Sequence, residues 1–147
     1  MARIIWFLVG LLASLLGHGQ LRINEVCSKN VSVHTDAYGE ATDWVEVHNS
    51  SGAPIALGSH YLTDDEDVLQ QWALPDVTLE TDAYLVLCHG TDNSDGLHFP
   101  FSLDGDGESL WLYDANLGTL SEVHVPALHP DHSAGRDTDG NWQVYVS

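Results

Sequence analysis

The chain has 147 residues, enough for one domain, and 4 basic against 22 acidic residues give it a formal net charge of −18. This balance argues against nucleic-acid binding and against attraction to an anionic membrane surface, because both depend on clustered Lys and Arg. Hydrophobic residues make up 44% of the chain and include 5 Trp, a composition that predicts a packed core rather than disorder.

Residues 1–19 have the order of a secretory signal peptide. Arg3 precedes an apolar run, Ile4–Leu16, and small residues then stand at the −3 and −1 positions of a cleavage site before Gln20. The run is short for a membrane span, which needs about 20 residues. A cleaved signal is therefore favoured over an uncleaved anchor. We expect the mature chain, residues 20–147, to be secreted, in the extracellular space or the periplasm, without stable membrane insertion.

The mature sequence consists of short β-type segments separated by turn residues. Runs rich in β-branched and aromatic residues alternate with clusters of Gly, Asn, Asp, Ser and Pro, and no long window has a helical period. Strands are predicted over Arg22–Cys27, Asp43–His48, Leu69–Leu74, Ala83–Cys88, Ser109–Asp114, Leu120–Val125 and Trp142–Val146. Strands of this number and spacing indicate an antiparallel sandwich or barrel in one domain.

Seven short motifs follow one another along this chain. They are INEV from Ile23, DWVEVHN from Asp43, PIAL from Pro54 with YLTDD from Tyr61, WALP from Trp72, YLVL from Tyr84, FSL from Phe101 with GESL from Gly107, and SAGR from Ser133 with DGNW from Asp139. In this order they resemble the lamin-tail domain, in a secreted, bacterial-type form. The resemblance implies an immunoglobulin-like antiparallel β-sandwich.

The resemblance also implies a function. Lamin-tail domains serve as attachment or interaction units in secreted bacterial proteins and in nuclear lamins, so we expect a non-catalytic binding or adhesion module whose partner is a protein or a cell surface. No G-x-S-x-G, H-E-x-x-H or phosphate-binding glycine loop is present in the sequence, and no catalytic residue is assigned. The alternative is a small calcium-dependent extracellular hydrolase or accessory factor.

Two acidic loops are candidates for calcium binding. The first carries Asp104, Asp106 and Glu108, and the second carries Asp137 and Asp139. Alternate carboxylates on a loop that contains Gly can supply several of the oxygen ligands that calcium needs. Neither loop completes the D-x-[DN]-x-[DN]-G-x5-E pattern, and Asp-Gly also favours hairpin turns, so a turn role is favoured for both.

The sequence also contains a candidate zinc site and two glycosylation sequons. His129-Pro130-Asp131-His132 offers two imidazoles beside a carboxylate, but an exposed turn is favoured because zinc would need further ligands. The sequons that begin at Asn30 and Asn49 are relevant only in a eukaryotic source.

Trp44 and Arg136 are predicted to have structural roles. Val45 and Val47 are expected to face the core, with Trp44 on the opposite face of the same strand, and a packing role in the core or at an edge is favoured for this Trp. Arg136 is one of three cations in the mature chain. A bidentate pair between Arg136 and a carboxylate is expected to pin the loop before the last strand.

Cys27 and Cys88 are predicted to form a disulfide. Export places the chain where thiols are usually oxidised, and two cysteines allow one intramolecular pairing. The lamin-tail resemblance implies that the strands ending in these residues lie in the sandwich core, with their ends close enough for a bridge. The alternative is a pair of buried free thiols that act as small hydrophobes.

Overall fold

The computed structural model describes residues 20–146, so the predicted signal peptide lies outside the described residues. All regular elements within this range are β-strands, numbered β1 to β12 in chain order. They are Leu21–Cys27, Trp44–Asn49, Ile55–Ala56, Tyr61–Thr63, Trp72–Ala73, Thr78–Leu79, Tyr84–His89, His98–Phe99, Gly107–Tyr113, Thr119–Pro126, His132–Arg136 and Trp142–Val146. Between residues 20 and 146 there is no helix long and apolar enough to cross a membrane.

Two sheets form the sandwich. The larger has six strands in the order β12-β11-β1-β2-β7-β8, and the smaller has four in the order β10-β9-β4-β5. Neighbouring strands are antiparallel except β7 and β8, which are parallel. A separate ribbon consists of β3 and β6. This architecture confirms the predicted immunoglobulin-like β-sandwich.

The core lies between the two sheets and is mainly aliphatic. Its largest fully buried side chains are Phe99, Leu21, Ile23, Leu57, Leu62, Leu87, Leu110, Leu112, Val26, Val45, Val47 and Val125. All but Leu57, which follows β3, come from the two sheets. Trp72 packs edge-to-face on Phe99 with ring centroids 6.0 Å apart. Val45 and Val47 of β2 are among these buried side chains, as the alternation of apolar residues in that strand predicts.

A β-bulge in β1 explains why its apolar residues do not alternate strictly. The register with β2 shifts between Ile23 and Glu25, so Asn24 is the extra residue. Ile23 before the bulge and Val26 after it are both completely buried, although strict alternation would turn one of them outward. The Asn24 amide donates to the carboxylate of Glu46 at 2.8 Å, which pairs a half-buried acid that the sequence leaves without an assigned partner.

The outer face of the larger sheet is also covered at its centre. Trp44 and His48 in β2 are only 8% and 7% exposed, because neighbouring side chains on the same face pack against them. The His48 ring stacks on Tyr84 with centroids 4.1 Å apart and planes 5° from parallel. Burial lowers the pKa of His48, with the Arg22 charge adding to the effect, so the neutral ring is favoured in this stack.

The strands that the sequence does not predict are short or interrupted by Gly. They are β3, β4, β6, β8 and β11. The predicted strand over residues 69–74 is confined to Trp72–Ala73, because backbone hydrogen bonds from Val68 to Asp65 and from Gln71 to Val68 hold the preceding residues in turns. The segment from His129 is not wholly an exposed turn, since His132 begins β11.

Candidate functional site

Two cavities of about 260 and 300 Å³ open at the β8 edge of the larger sheet. Tyr38, Glu40, Thr42 and His89 are among the residues that line the first cavity. His34, Val86, Cys88 and Leu97 are among those that line the second. The side chains of Asp36 and His98 line both cavities and form the wall between them.

His98 is held between two carboxylates. Its Nε2 lies 3.1 Å from Asp36 Oδ2 and its Nδ1 lies 2.9 Å from Asp95 Oδ1, while the imidazole is only 3% exposed. A ring with an acceptor at each nitrogen donates from both, which requires the imidazolium form. Burial alone lowers the pKa of His98, but the hydrogen bonds to Asp95 and Asp36 outweigh that effect and raise it.

Asp36 also organises the loop that borders the first cavity. Its Oδ1 accepts hydrogen bonds from the backbone N–H groups of Tyr38 and Glu40, each at 2.9 Å. The hydrogen bond from Glu40 is the main cause of a lowered pKa for Asp36, and the bond to His98 adds to it. The carboxylate therefore stays ionised as the counter-charge of the imidazolium.

The loop that carries Asp95 is fastened in the same way. Asp95 Oδ1 accepts the backbone N–H of Leu97 at 2.9 Å, which lowers the pKa of this acid, with the His98 contact adding to the effect. The hydroxyl groups of Tyr38 and Ser94 are hydrogen-bonded to each other, and this bond joins the two loops directly. Asp36, His98 and Asp95, which we call the His98 tie, thus hold both loops against β8.

Cys27 and Cys88 lie on either side of Trp44 and are free thiols. The register pairs each of them with Trp44 across neighbouring strands, so the cysteines are two strand spacings, or about 10 Å, apart. A disulfide needs a Cα separation of about 4.4–6.8 Å. The predicted bridge is therefore not formed in this structure, and the cysteines are buried thiols of a small cluster.

Burial also makes these thiols poor nucleophiles. It raises the pKa of Cys27 to about 11 and also raises that of Cys88. Since the thiolate is the reactive form, neither residue supplies a nucleophile near neutral pH. Trp44 completes the cluster on the outer face of the sheet, with its ring 6.2 Å from His34 in an edge contact.

The first calcium candidate loop uses its carboxylates within the loop. Asp104 Oδ1 accepts the backbone N–H of Asp106 at 2.8 Å, and Glu108 Oε1 accepts the N–H of Asp104 at 2.7 Å. Asp106 forms an exposed ion pair with Lys29 at 3.3 Å. Burial raises the pKa of Glu108 to about 7, so this side chain is partly protonated near neutral pH.

The second candidate loop closes the β11–β12 hairpin. Asp137 Oδ1 accepts the backbone N–H groups of Asp139 at 2.9 Å and Asn141 at 2.8 Å. In the described part of the chain, no group of three or more His, Cys, Asp or Glu residues is placed to hold a metal ion. In the described residues, therefore, neither calcium candidate loop nor the segment from His129 forms a metal-coordination site.

Arg136 pins the loop before β12, but through carbonyl groups. Its Nε donates to the Ile23 carbonyl at 3.1 Å and its Nη1 to the Gly140 carbonyl at 3.1 Å. The guanidinium carbon lies 5.6 Å from the centre of the Trp142 ring. None of the ion pairs within residues 20–146 involves Arg136, so the predicted carboxylate partner is wrong, although the predicted effect on the loop is found.

The asparagines of both sequons are buried. Asn30 is 8% exposed and its amide donates to the carbonyls of His34 at 2.6 Å and Thr42 at 2.8 Å. Asn49 is completely buried, and its Nδ2, with two hydrogens to donate, lies within hydrogen-bond distance of three carbonyl oxygens, those of Ala53, Leu79 and Glu80. Glycosylation would have to break these bonds, so the asparagines have structural roles in the fold.

Sequence reasoning did not single out the His98 tie. Asp95 and His98 are three residues apart, a spacing that occurs by chance in a chain this rich in Asp and His. Asp36 is 62 residues away along the chain. Only the folded loops bring the three together, and the single usable signal was the run of turn residues from Asp92 to Gly96.

A family model for the Lamin Tail Domain matches residues 17–126. The chain belongs to the lamin tail domain family. The match ends at Pro126, the last residue of β10, so the β11–β12 hairpin lies beyond it. No curated protein and no solved structure matches the chain. The geometry of this lamin tail domain therefore has to support any finer statement about its function.

Proposed function

We propose that this lamin tail domain is a secreted, non-catalytic module that binds a protein or a cell surface. The observation that carries the proposal is the bonding of the groups around the cavities. His98 and Asp36, which line both cavities, are bonded to each other and to the surrounding loops. Because these polar groups are hydrogen-bonded to one another, the loops have a defined shape. The same bonds leave His98 and Asp36 with little freedom to react with a substrate.

The same arrangement is poorly suited to catalysis. A general base needs a free lone pair that faces the reacting proton, whereas each nitrogen of His98 faces a carboxylate. Cys88 lines the second cavity, but its raised pKa leaves it protonated. These features favour recognition over proton transfer or nucleophilic attack.

The size of the cavities supports a macromolecular partner. Their volumes of about 260 and 300 Å³ lie at or below the small end of the range for sites that enclose a drug-sized ligand. Shallow depressions bordered by loops match individual side chains that project from a larger surface. A protein or cell-surface partner is therefore favoured over a free metabolite.

The test starts from the protein purified from the extracellular medium. The purified protein is returned to that medium and cross-linked to whatever it binds there. The captured partner is then purified and titrated against the wild type and two charge-reversal variants. Glu40→Lys alters the border of the first cavity, and Glu122→Lys alters an exposed position on β10. We expect the Glu40 variant to weaken binding and the Glu122 variant to leave it unchanged.

Turnover is the opposing result. The same protein is incubated with ester, peptide and glycoside substrates, with and without calcium. Hydrolysis above the buffer rate that is lost in His98→Gln would overturn the proposal and favour the calcium-dependent hydrolase.

A further inference from the structure

β12 is an open edge of the larger sheet. It pairs with β11 along its whole length, from the pair Arg136 with Trp142 to the pair His132 with Val146. In the described residues no strand pairs with its other side. The opposite edge of the sheet, β8, has only two residues, and both are buried. β12 is therefore the side at which the larger sheet can be extended.

This strand lacks the features that usually protect a sheet edge. Proteins block edge pairing with charged side chains, Pro or bulges. The sequence of β12 is Trp-Gln-Val-Tyr-Val, and its register with β11 is continuous. In a chain with 26 charged residues among 147, an uncharged and regular edge strand offers its backbone for pairing.

The hairpin geometry shows which backbone groups are free. Asp137 N–H donates to the Asn141 carbonyl at 2.8 Å, and hydrogen-bonded pairs in an antiparallel ladder alternate from there. Gln143 and Tyr145 therefore direct their backbone groups toward β11. Trp142, Val144 and Val146 direct theirs away from the sheet, where a further strand would lie.

The side chains of these residues form an apolar strip on one face of β12. Trp142 packs against the core, whereas Val144 is 49% and Val146 77% exposed. This end of the larger sheet is therefore open to solvent on the face that carries Val144 and Val146. An added strand with alternating apolar residues would bury these two valines beside its own side chains.

Charge decides which partner fits. Asp137 and Asp139 lie in the turn at one end of the hairpin, and Asp131 precedes β11 at the other end. The nearby cations are Arg136, which is bonded to carbonyl groups, and Arg22, which lies close enough to Arg136 to lower its pKa after the larger effect of burial. A second copy of this chain would bring the same net charge of −18 and be repelled, whereas a cationic segment would be attracted.

We propose that β12 accepts an extended segment of a cationic partner protein as an additional strand of the larger sheet, with apolar side chains beside Val144 and Val146 and basic residues near the acidic ends of the hairpin. This inference rests on the proposed binding function. It adds a second contact surface, at the edge of the larger sheet opposite the cavities, and names the class of partner. Pairing of this kind obtains affinity from main-chain hydrogen bonds and specificity from alternate side chains.

The probe is a labelled nine-residue peptide with a Thr-Val-Thr-Val-Thr centre and two lysines at each end, and its counterpart carries glutamates instead. Val144→Pro removes a free N–H without removing a bond to β11, and Val144→Thr keeps the N–H as a matched control. We expect the lysine peptide to bind the wild type saturably, more weakly as salt is added. Val144→Pro should weaken binding about tenfold and Val144→Thr at most about twofold.

Hydrogen exchange of the wild type makes the test independent of the proline variant's folding. With the lysine peptide bound, exchange of the Val144 N–H should slow, whereas that of Gln143 should already be slow in the free protein. Equal binding of both peptides, no binding, or unchanged exchange at Val144 would overturn the proposal. So would concentration-dependent dimers that Val144→Pro abolishes, since a second copy would then occupy the edge.

The two proposals fail in different ways. A native partner that binds Val144→Pro as tightly as wild type would refute pairing at β12 while the binding function stands. Turnover of substrate by the wild type would instead refute the binding function itself.

Discussion

His98 Nε2 and Asp36 Oδ2 are 3.1 Å apart although 62 residues separate them in the chain, and their side chains are only 3% and 5% exposed. This contact, with Asp95 on the other ring nitrogen, joins the loop before β2 to the loop before β8. The shape of both cavities therefore depends on one buried imidazole.

His98→Gln should destabilise the protein, because glutamine cannot donate from two opposite positions to two carboxylates. We expect the Tm to fall by about 5–10 °C, as for the loss of charge-assisted hydrogen bonds in a domain of this size. His124→Gln, on an exposed position of β10, is the matched control and should leave the Tm unchanged. Equal Tm values for the two variants in thermal melts would contradict the structural role of the tie.

The contribution of the tie should depend on pH. The raised pKa of His98 means that its contribution is complete below the ordinary value of 6.5 and is lost as pH rises through the raised value. The lowered pKa values of Asp36 and Asp95 mean that the contribution of these two acids to stability is present above 3.8 and is lost as pH falls through the lowered values. The tie is therefore strongest between pH 4 and 6.5.

The measurement is the Tm difference between the wild type and His98→Gln at pH 5.5 and pH 8.5. We expect the larger difference at pH 5.5. Comparing the two proteins removes the opposing effect of His48, whose lowered pKa makes its own contribution decline as pH falls below 6.5. A larger difference at pH 8.5 would show that His98 is neutral in the folded protein.

Thiol labelling should find two free cysteines per chain. Cys27 and Cys88 flank Trp44 in the register of three neighbouring strands, and about 10 Å is too far for a bridge. Protein that is denatured without reductant should react with two equivalents of a maleimide. The native protein should react slowly near neutral pH, since the pKa of Cys27 is about 11. A monomeric chain with no reactive thiol after denaturation would show that the strands rearrange.

Asp137→Ala should destabilise the β11–β12 hairpin, because the carboxylate accepts the backbone N–H groups of Asp139 and Asn141. A cost of about 1 kcal/mol is typical of a lost turn or cap bond, and urea unfolding measures it. The turn interpretation predicts the same cost in calcium and in magnesium at equal ionic strength. A cost that is larger in calcium than in magnesium would instead indicate that this loop binds calcium. Asp139→Ala is the control, since no hydrogen bond of its carboxylate closes the turn.

Export should leave a mature protein that begins near Gln20. The charged residue, apolar run and small residues of positions 1–19 predict this cleavage, and the first strand begins just after it, at Leu21. Intact-mass measurement of protein from the medium tests the prediction. Full-length chain that begins with Met1 in a membrane fraction would contradict it.

Much of the fold was predictable because strand signals are local. Alternation identifies β2, with its buried Val45 and Val47, and the run from Trp142 to Val146 is found with the predicted bounds. Strand β11 was missed because Gly135 interrupts it and Pro130 precedes it. Gly135 is nevertheless required in β11, since a Cβ at this position would lie 2.9 Å from the Glu25 side chain.

The sequence by itself determined the β-sandwich, its family and its acidic surface, because these depend on residue types and on spacing between neighbours. Only the tertiary structure decided the partners of Cys27, Arg136 and His98, because each depends on which strands or loops become neighbours. A β-bulge at Asn24 and the order of six strands place these side chains. A shift of one residue in such a register turns every side chain to the opposite face, so long-range contacts cannot be read from local pattern alone.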